Sequence, residues 1–78
     1  MTKDATIQEV TNRIKEVRKS GKPGRDKTNM VGVDSTTWEV IQPLDLIGGC
    51  KVVYLPSLDP LKTNPSDIVI STGIVPNL

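Results

Sequence analysis

The sequence predicts an α+β domain, and three observations lead there. First, Ile7, Val10, Ile14 and Val17 recur at +3, +4 and +3, a single apolar stripe at helical period. Second, short runs rich in β-branched residues recur between Gly, Pro and Asp positions, at 30–33, 36–42, 50–55 and 67–72. Third, no helical pattern separates these runs. Strands without intervening helices are expected to pair antiparallel, as a small sheet of about four short strands. The sheet is expected either to stay open or to curl into an SH3-like or OB-like barrel, since Gly32, Gly48-Gly49 and Gly73 stand where a barrel needs corners.

The helix is placed at 6–20. Thr6-Ile7-Gln8-Glu9 fits a capping box, Lys15, Arg18 and Lys19 put cations in the last turn, and Gly21 terminates it. The stripe is half β-branched valine and half isoleucine, so packing rather than intrinsic propensity must hold the helix. The stretch 20–29 has two Gly, one Pro and three basic residues and no large apolar side chain, which reads as a flexible basic linker. Met30-Val31-Gly32-Val33 reads as a short strand and Asp34-Ser35 as a turn. In 36–42, Trp38 and Val40 alternate with Thr37 and Glu39, which suits a pleated surface, and Pro43 ends the run. Gly48-Gly49 supplies a tight turn into 50–55, where Val52 and Tyr54 share one face and Lys51, Val53 and Leu55 the other. A strand apolar on both faces belongs in the middle of a sheet. Pro56 stops it, and 57–66, with Pro60 and Pro65, reads as a loop. The run 67–72 is the last strand, and Ile74-Val75 prolongs the pairing up to Pro76. The organisation is an N-terminal helix at 1–20, a basic linker at 21–29 and a small β-domain at 30–78, one domain overall.

A chain of 78 residues, 36% apolar and without Phe, builds a lean core. At this size only ~60–65% of the unfolded surface is buried on folding. Oligomerisation, or docking onto a larger assembly, supplies what is lacking. Charge is unevenly distributed. Residues 1–28 carry eight Lys/Arg against four Asp/Glu, while 29–78 carry two Lys and five Asp/Glu. Such asymmetry suits an anionic partner for the first part, or two copies whose halves attract. A single Cys cannot form an intramolecular disulfide, which fits a reducing compartment. The first ten residues hold no apolar run and no stretch reaches the ~20 apolar residues of a membrane span. The expectation is a soluble protein, intracellular or assembled from an intracellular pool, with no membrane partner.

The chain contains no His, so the commonest general base and zinc ligand are missing and no Ser-His-Asp or Cys-His arrangement can be built. Asp34, Glu39, Asp45, Asp59 and Asp67 show no spacing that pairs two carboxylates for catalysis. Lys51, next to Cys50, points to the opposite face of a strand, so Cys50 reads as a structural thiol. Gly21-Lys22-Pro23-Gly24-Arg25 lacks the phosphate-loop spacing and follows a helix instead of a strand. No cofactor, metal ion or small-molecule substrate is expected, and the chain reads as non-enzymatic.

Two readings of function follow. In the first, the chain is a protein-interaction or assembly module, with another protein or a homo-oligomer as partner. The helix stripe Ile7, Val10, Ile14 and Val17, and the tail residues Ile68, Ile70 and Ile74, make the contacts, because the uncharged, β-prone tail is an edge that needs pairing. Small viral or phage structural and accessory proteins share this build. The alternative is a nucleic-acid-binding small β-domain in which Arg18, Lys19, Lys22, Arg25 and Lys27 track phosphates. Against it, the whole chain carries a net charge of only +1, and its aromatics do not interleave with the basic residues.

Overall fold

The computed structural model describes residues 2–64 and 66–76. Pro65 of the expected loop, and Asn77 and Leu78 of the apolar tail, lie outside the described residues. Helix α1 spans Lys3–Arg18. It starts a turn earlier than the capping-box reading because two threonines four residues apart compete for the cap. Thr2 wins: its Oγ1 accepts from the Ala5 N–H at 3.1 Å. Thr6 then lies inside the helix and donates its hydroxyl back to the Thr2 carbonyl at 2.9 Å. Glu9, freed from capping, accepts from Arg13 one turn on at 3.0 Å. The segment after α1 is more ordered than a linker. It carries a 3-10 turn, Arg25–Lys27, and ends on buried Thr28.

Strand β1 is Met30–Val33. The next element corrects the sequence reading: the run expected as a strand at 36–42 is helix α2, Ser35–Ile41. The reason is the N-cap. Asp34 is extended and its carboxylate accepts from the Thr37 N–H at 3.0 Å, so the chain turns into a helix in spite of its β-branched residues. Thr37 and Ile41, four apart, become the buried face. A cis Gln42–Pro43 bond leads out of it. Strands β2, Leu46–Ile47, and β3, Cys50–Tyr54, form a hairpin across Gly48-Gly49, whose φ values of 58° and 80° suit a glycine pair in a two-residue hairpin turn. A 3-10 helix, Pro56–Leu61, occupies the first half of the expected loop. Strand β4 is Ile70–Gly73, later than expected. Asp67 is taken from it by a local turn, accepting from the Thr63 hydroxyl at 2.6 Å and the Asn64 N–H at 3.0 Å.

The sheet order is β2-β3-β1-β4. It is a mixed sheet and not the all-antiparallel one expected: β1 and β3 run parallel, with Val31 opposite Val52. Parallel neighbours need a crossover, and α2 opens the crossover 34–49 that joins them. The described strands leave the sheet open, with β2 and β4 at its edges, and no SH3-like or OB-like closure forms.

One face of the sheet carries both helices. Val10 and Ile14 of α1, Ile41 of α2, and Val31, Val33, Ile47, Cys50 and Val52 of the sheet form the core, with Ile7, Trp38, Ile68 and Ile70 packed around it. Tyr54 continues this face and stacks on Trp38, with ring centroids 6.2 Å apart. On the opposite face Leu55 folds over Gly32 so closely that a Cβ there would stand 2.1 Å from its Cδ1. Any side chain at 32 would have to push Leu55 aside.

Candidate interaction site

Backbone directions decide which edge of the sheet is available. Lys51 N–H donates to the Asn29 carbonyl and Leu55 N–H to that of Val33, so the odd-numbered residues of β1 address β3. Met30, Gly32 and Asp34 therefore address β4, where they meet Gly73, Ser71 and Val69. In a ladder successive residues alternate sides, so the N–H and C=O groups of Ile70 and Thr72 point outward. Ile68 and Ile74 continue that alternation. Arg13 of α1 donates through Nη1 to the Ile68 carbonyl and closes one end of the edge. Asn29 grips Val75 from the β1 side, donating to its carbonyl at 3.0 Å and accepting from its N–H at 2.7 Å. Between these two clamps, among the described residues, nothing pairs with the outward groups of Ile70 and Thr72.

Above that edge runs a groove of about 410 Å³, walled by Arg13, Glu16 and Val17 of α1 and by Ser20 just beyond it, and floored by Ile70 and Thr72. A strand laid beside β4 would send alternate side chains into it. The other edge is different. Strand β2 is only two residues long, so it offers almost no row of open backbone groups to an incoming strand.

The structure distributes the residues singled out in the sequence. Val10 and Ile14 are fully buried in the chain's own core, and Ile7 packs against it. Val17 is half-buried at the groove wall. Ile68 and Ile70 pack their side chains on the core while their backbone lines the edge, and Ile74 is 52% exposed. Of the basic set, Arg18 turns inward. Its guanidinium donates to the Gly48 carbonyl at 2.6 Å and the Thr28 carbonyl at 2.8 Å, and lies 3.3 Å from Cys50 Sγ. Lys19, Lys22, Arg25 and Lys27 remain exposed. Lys22 and Arg25 line a shallow depression continuous with Val17 and Ser20. Arg13, Glu16, Ser20 and Thr72 are the groove residues outside the sets expected from the sequence. Arg13 four residues after Glu9 is the one readable signal among them.

A second polar cluster stands where β1 ends. Asp34 is 0% exposed. Oδ1 accepts from Thr37 N–H and from Lys62 Nζ at 3.1 Å, and Oδ2 from the Thr37 hydroxyl at 2.8 Å and Val69 N–H at 2.9 Å. Burial pushes its carboxyl up, but the Val69 and Thr37 N–H groups, the Thr37 hydroxyl and Lys62 together hold it at about 2. Asp59 beside it accepts from both Ser35 N–H at 2.8 Å and Ser35 Oγ at 3.0 Å, tying the 3-10 helix to α2. Every Asp34 oxygen is engaged, so the cluster is a structural clasp joining β1, α2, β4 and the segment after the 3-10 helix. Burial also raises the Cys50 thiol, which Arg18 only partly offsets. Among the described residues no three His, Cys, Asp or Glu side chains converge to hold a metal ion, and no helix is long and apolar enough to cross a membrane.

Fold and edge together define a small α+β domain whose described strands form an open mixed sheet with β4 at one edge. Comparison with protein-family models, with curated proteins and with solved structures gives no match for this chain.

Proposed function

We propose that this chain is a non-enzymatic protein-interaction module that receives an extended strand along β4. The observation that carries the reading is the unpaired outward backbone of Ile70 and Thr72 beneath the α1 groove. Main-chain hydrogen bonds to such an edge supply affinity, and the groove selects the alternate side chains of the incoming strand. The α1 stripe contributes by holding the groove wall in place, with Val17 as its contact residue. Peptides selected for binding from a random extended library test the reading. They should shift the amide resonances of Ile70, Thr72 and Ile74, and should lose binding to Thr72→Pro, which removes an outward donor without touching the β1 ladder. Selected binders that map elsewhere and ignore Thr72→Pro would defeat it.

One observation favours nucleic acid as a second reading: Lys19, Lys22, Arg25 and Lys27 are all exposed on one short stretch while Arg18 is withdrawn. Anisotropy titration of a labelled single strand should then show affinity that falls steeply with salt and is lost when the four become Ala together. Salt-insensitive binding, or none at low salt, rules this reading out.

A further inference from the structure

We infer that the strand received by β4 is β4 of a second copy, so that two chains join into one continuous eight-stranded sheet about a two-fold axis through Thr72. This rests on the reading of β4 as a docking edge and names its occupant. The two clamps fix the register. Arg13 occupies the Ile68 carbonyl, so the free outward positions are Ile70, Thr72 and, one step on, Ile74. Antiparallel self-pairing centred on that set puts Thr72 opposite Thr72 of the second copy and Ile70 opposite the second copy's Ile74. Each copy therefore offers two donors and two acceptors at 70 and 74 to their exchanged partners, and the pair at the axis completes the ladder.

Side chains support the same register. Residues 70 and 72 share the helix-side face, since Val31 and Val33, their cross-strand partners, lie in the core. Position 74 continues that face by alternation. The pairing sets Ile70 of each copy against Ile74 of the other, two apolar pairs flanking the axis under the two α1 helices, and covers Ile74, which is otherwise 52% exposed. A central Thr–Thr pair is a favourable cross-strand match. Charge also suits a second copy. A two-fold contact must be self-complementary, residue i meeting j and j meeting i. The groove wall meets that condition, because Arg13 and Glu16 carry opposite signs on the same wall. The chain's net charge of +1 adds little long-range repulsion between copies.

Sedimentation from low micromolar to submillimolar concentration, with amide exchange of Ile70, Thr72 and Ile74, tests the inference. The expected result is a dimer in which these three amides are protected. Ile74→Lys lies beyond β4 on an exposed side chain and leaves the monomer fold intact. It should raise the dissociation constant at least about a hundredfold, because symmetry removes two apolar contacts at once. Thr72→Pro should abolish the dimer. Glu16→Lys, which leaves Arg13 and the monomer untouched, should weaken the dimer through like charge on both walls. A dimer indifferent to both Ile74→Lys and Thr72→Pro overturns the inference, as does a monomer at every concentration. In the monomer case the library-selected peptides separate the two ideas: a peptide that protects Ile70 and Thr72 leaves β4 a docking edge without self-pairing, and a library that yields no such peptide removes the docking edge as well.

Discussion

Asp34→Asn is expected to be the most damaging isosteric change in the molecule, and the structure sets its size. The amide keeps one oxygen, which stays with Thr37 N–H and Lys62. Its NH2 group replaces the oxygen that serves Val69 N–H and the Thr37 hydroxyl. The hydroxyl can rotate to accept, but Val69 N–H cannot, and a buried unpaired donor costs about 1–3 kcal/mol. The bond from Lys62 also loses its charge partner in a site where Asp34 is 0% exposed, and hydrogen bonds to charged groups contribute about 1.5–3 kcal/mol. The expected loss is about 3–5 kcal/mol, against a total stability of roughly 4–12 kcal/mol for a domain of this size. Urea unfolding followed by Trp38 fluorescence, the chain having a single Trp, measures it directly. The pH profile gives an independent check. The Asp34 carboxyl lies at about 2 when folded and near its ordinary 3.8 when unfolded. The unfolded chain therefore binds the proton more readily, and stability is lost as pH falls through the interval from about 4 to about 2, by about 2 kcal/mol from this group. In Asp34→Asn that contribution is gone, so the gap between the two proteins narrows in acid. A loss under about 1 kcal/mol, or parallel profiles between pH 4 and 2, would refute the clasp.

Other expectations are simpler to state. Arg18→Ala should cost about 2–3 kcal/mol by removing donors from the Gly48 and Thr28 carbonyls, with faster amide exchange around the β2–β3 turn; Arg18→Lys should recover only part, since an ammonium cannot hold both with a rigid fork. Unchanged exchange in Arg18→Ala would show that the turn stands without it. Gly32→Ala forces Leu55 off the sheet and should cost about 1–3 kcal/mol, a loss that Leu55→Ala relieves in the double variant. Strictly additive losses in that cycle would contradict the close approach. Cys50 is fully buried with a raised thiol, so a disulfide reagent should label it only as fast as the chain opens, and in step with added urea. Labelling on mixing in the native state would contradict its burial.

Much of this fold is legible in the sequence, and the failures have a common source. The α1 stripe, the β1 run, the Gly48-Gly49 turn and the strand beginning at Cys50 are local patterns that tertiary contacts leave in place, while the two-residue β2 that makes the turn a hairpin is not among the expected strands. The run 36–42 is read as a strand because Thr36, Thr37, Trp38, Val40 and Ile41 all favour one. Asp34 outweighs them by capping Thr37, and the Thr37–Ile41 spacing was the helical signal. From that one element the rest follows: without α2 there is no visible crossover, so parallel pairing of β1 with β3 is hidden, and an antiparallel sheet or barrel looks natural. The tail's adhesive character is legible from its composition. That it lies at an edge is not, because edge position depends on strand order. The inward turn of Arg18 is equally unreadable, since Thr28, Gly48 and Cys50 converge on it only in the folded chain.

The position of β1 between β3 and β4 has a consequence for how the protein is made. The first strand synthesised receives all its partners later, and the second of them ends at Gly73, forty residues after Val33. At about 5–20 residues per second a ribosome needs roughly 2–8 s to deliver that interval. Throughout it, Met30–Val33 is an apolar segment with an open side, and α1 has no completed surface on which to lay Val10 and Ile14. The N-terminal half is therefore not an autonomous folding unit. The nascent chain stays exposed to aggregation, and to whatever factors shield it, until Gly73 has been delivered.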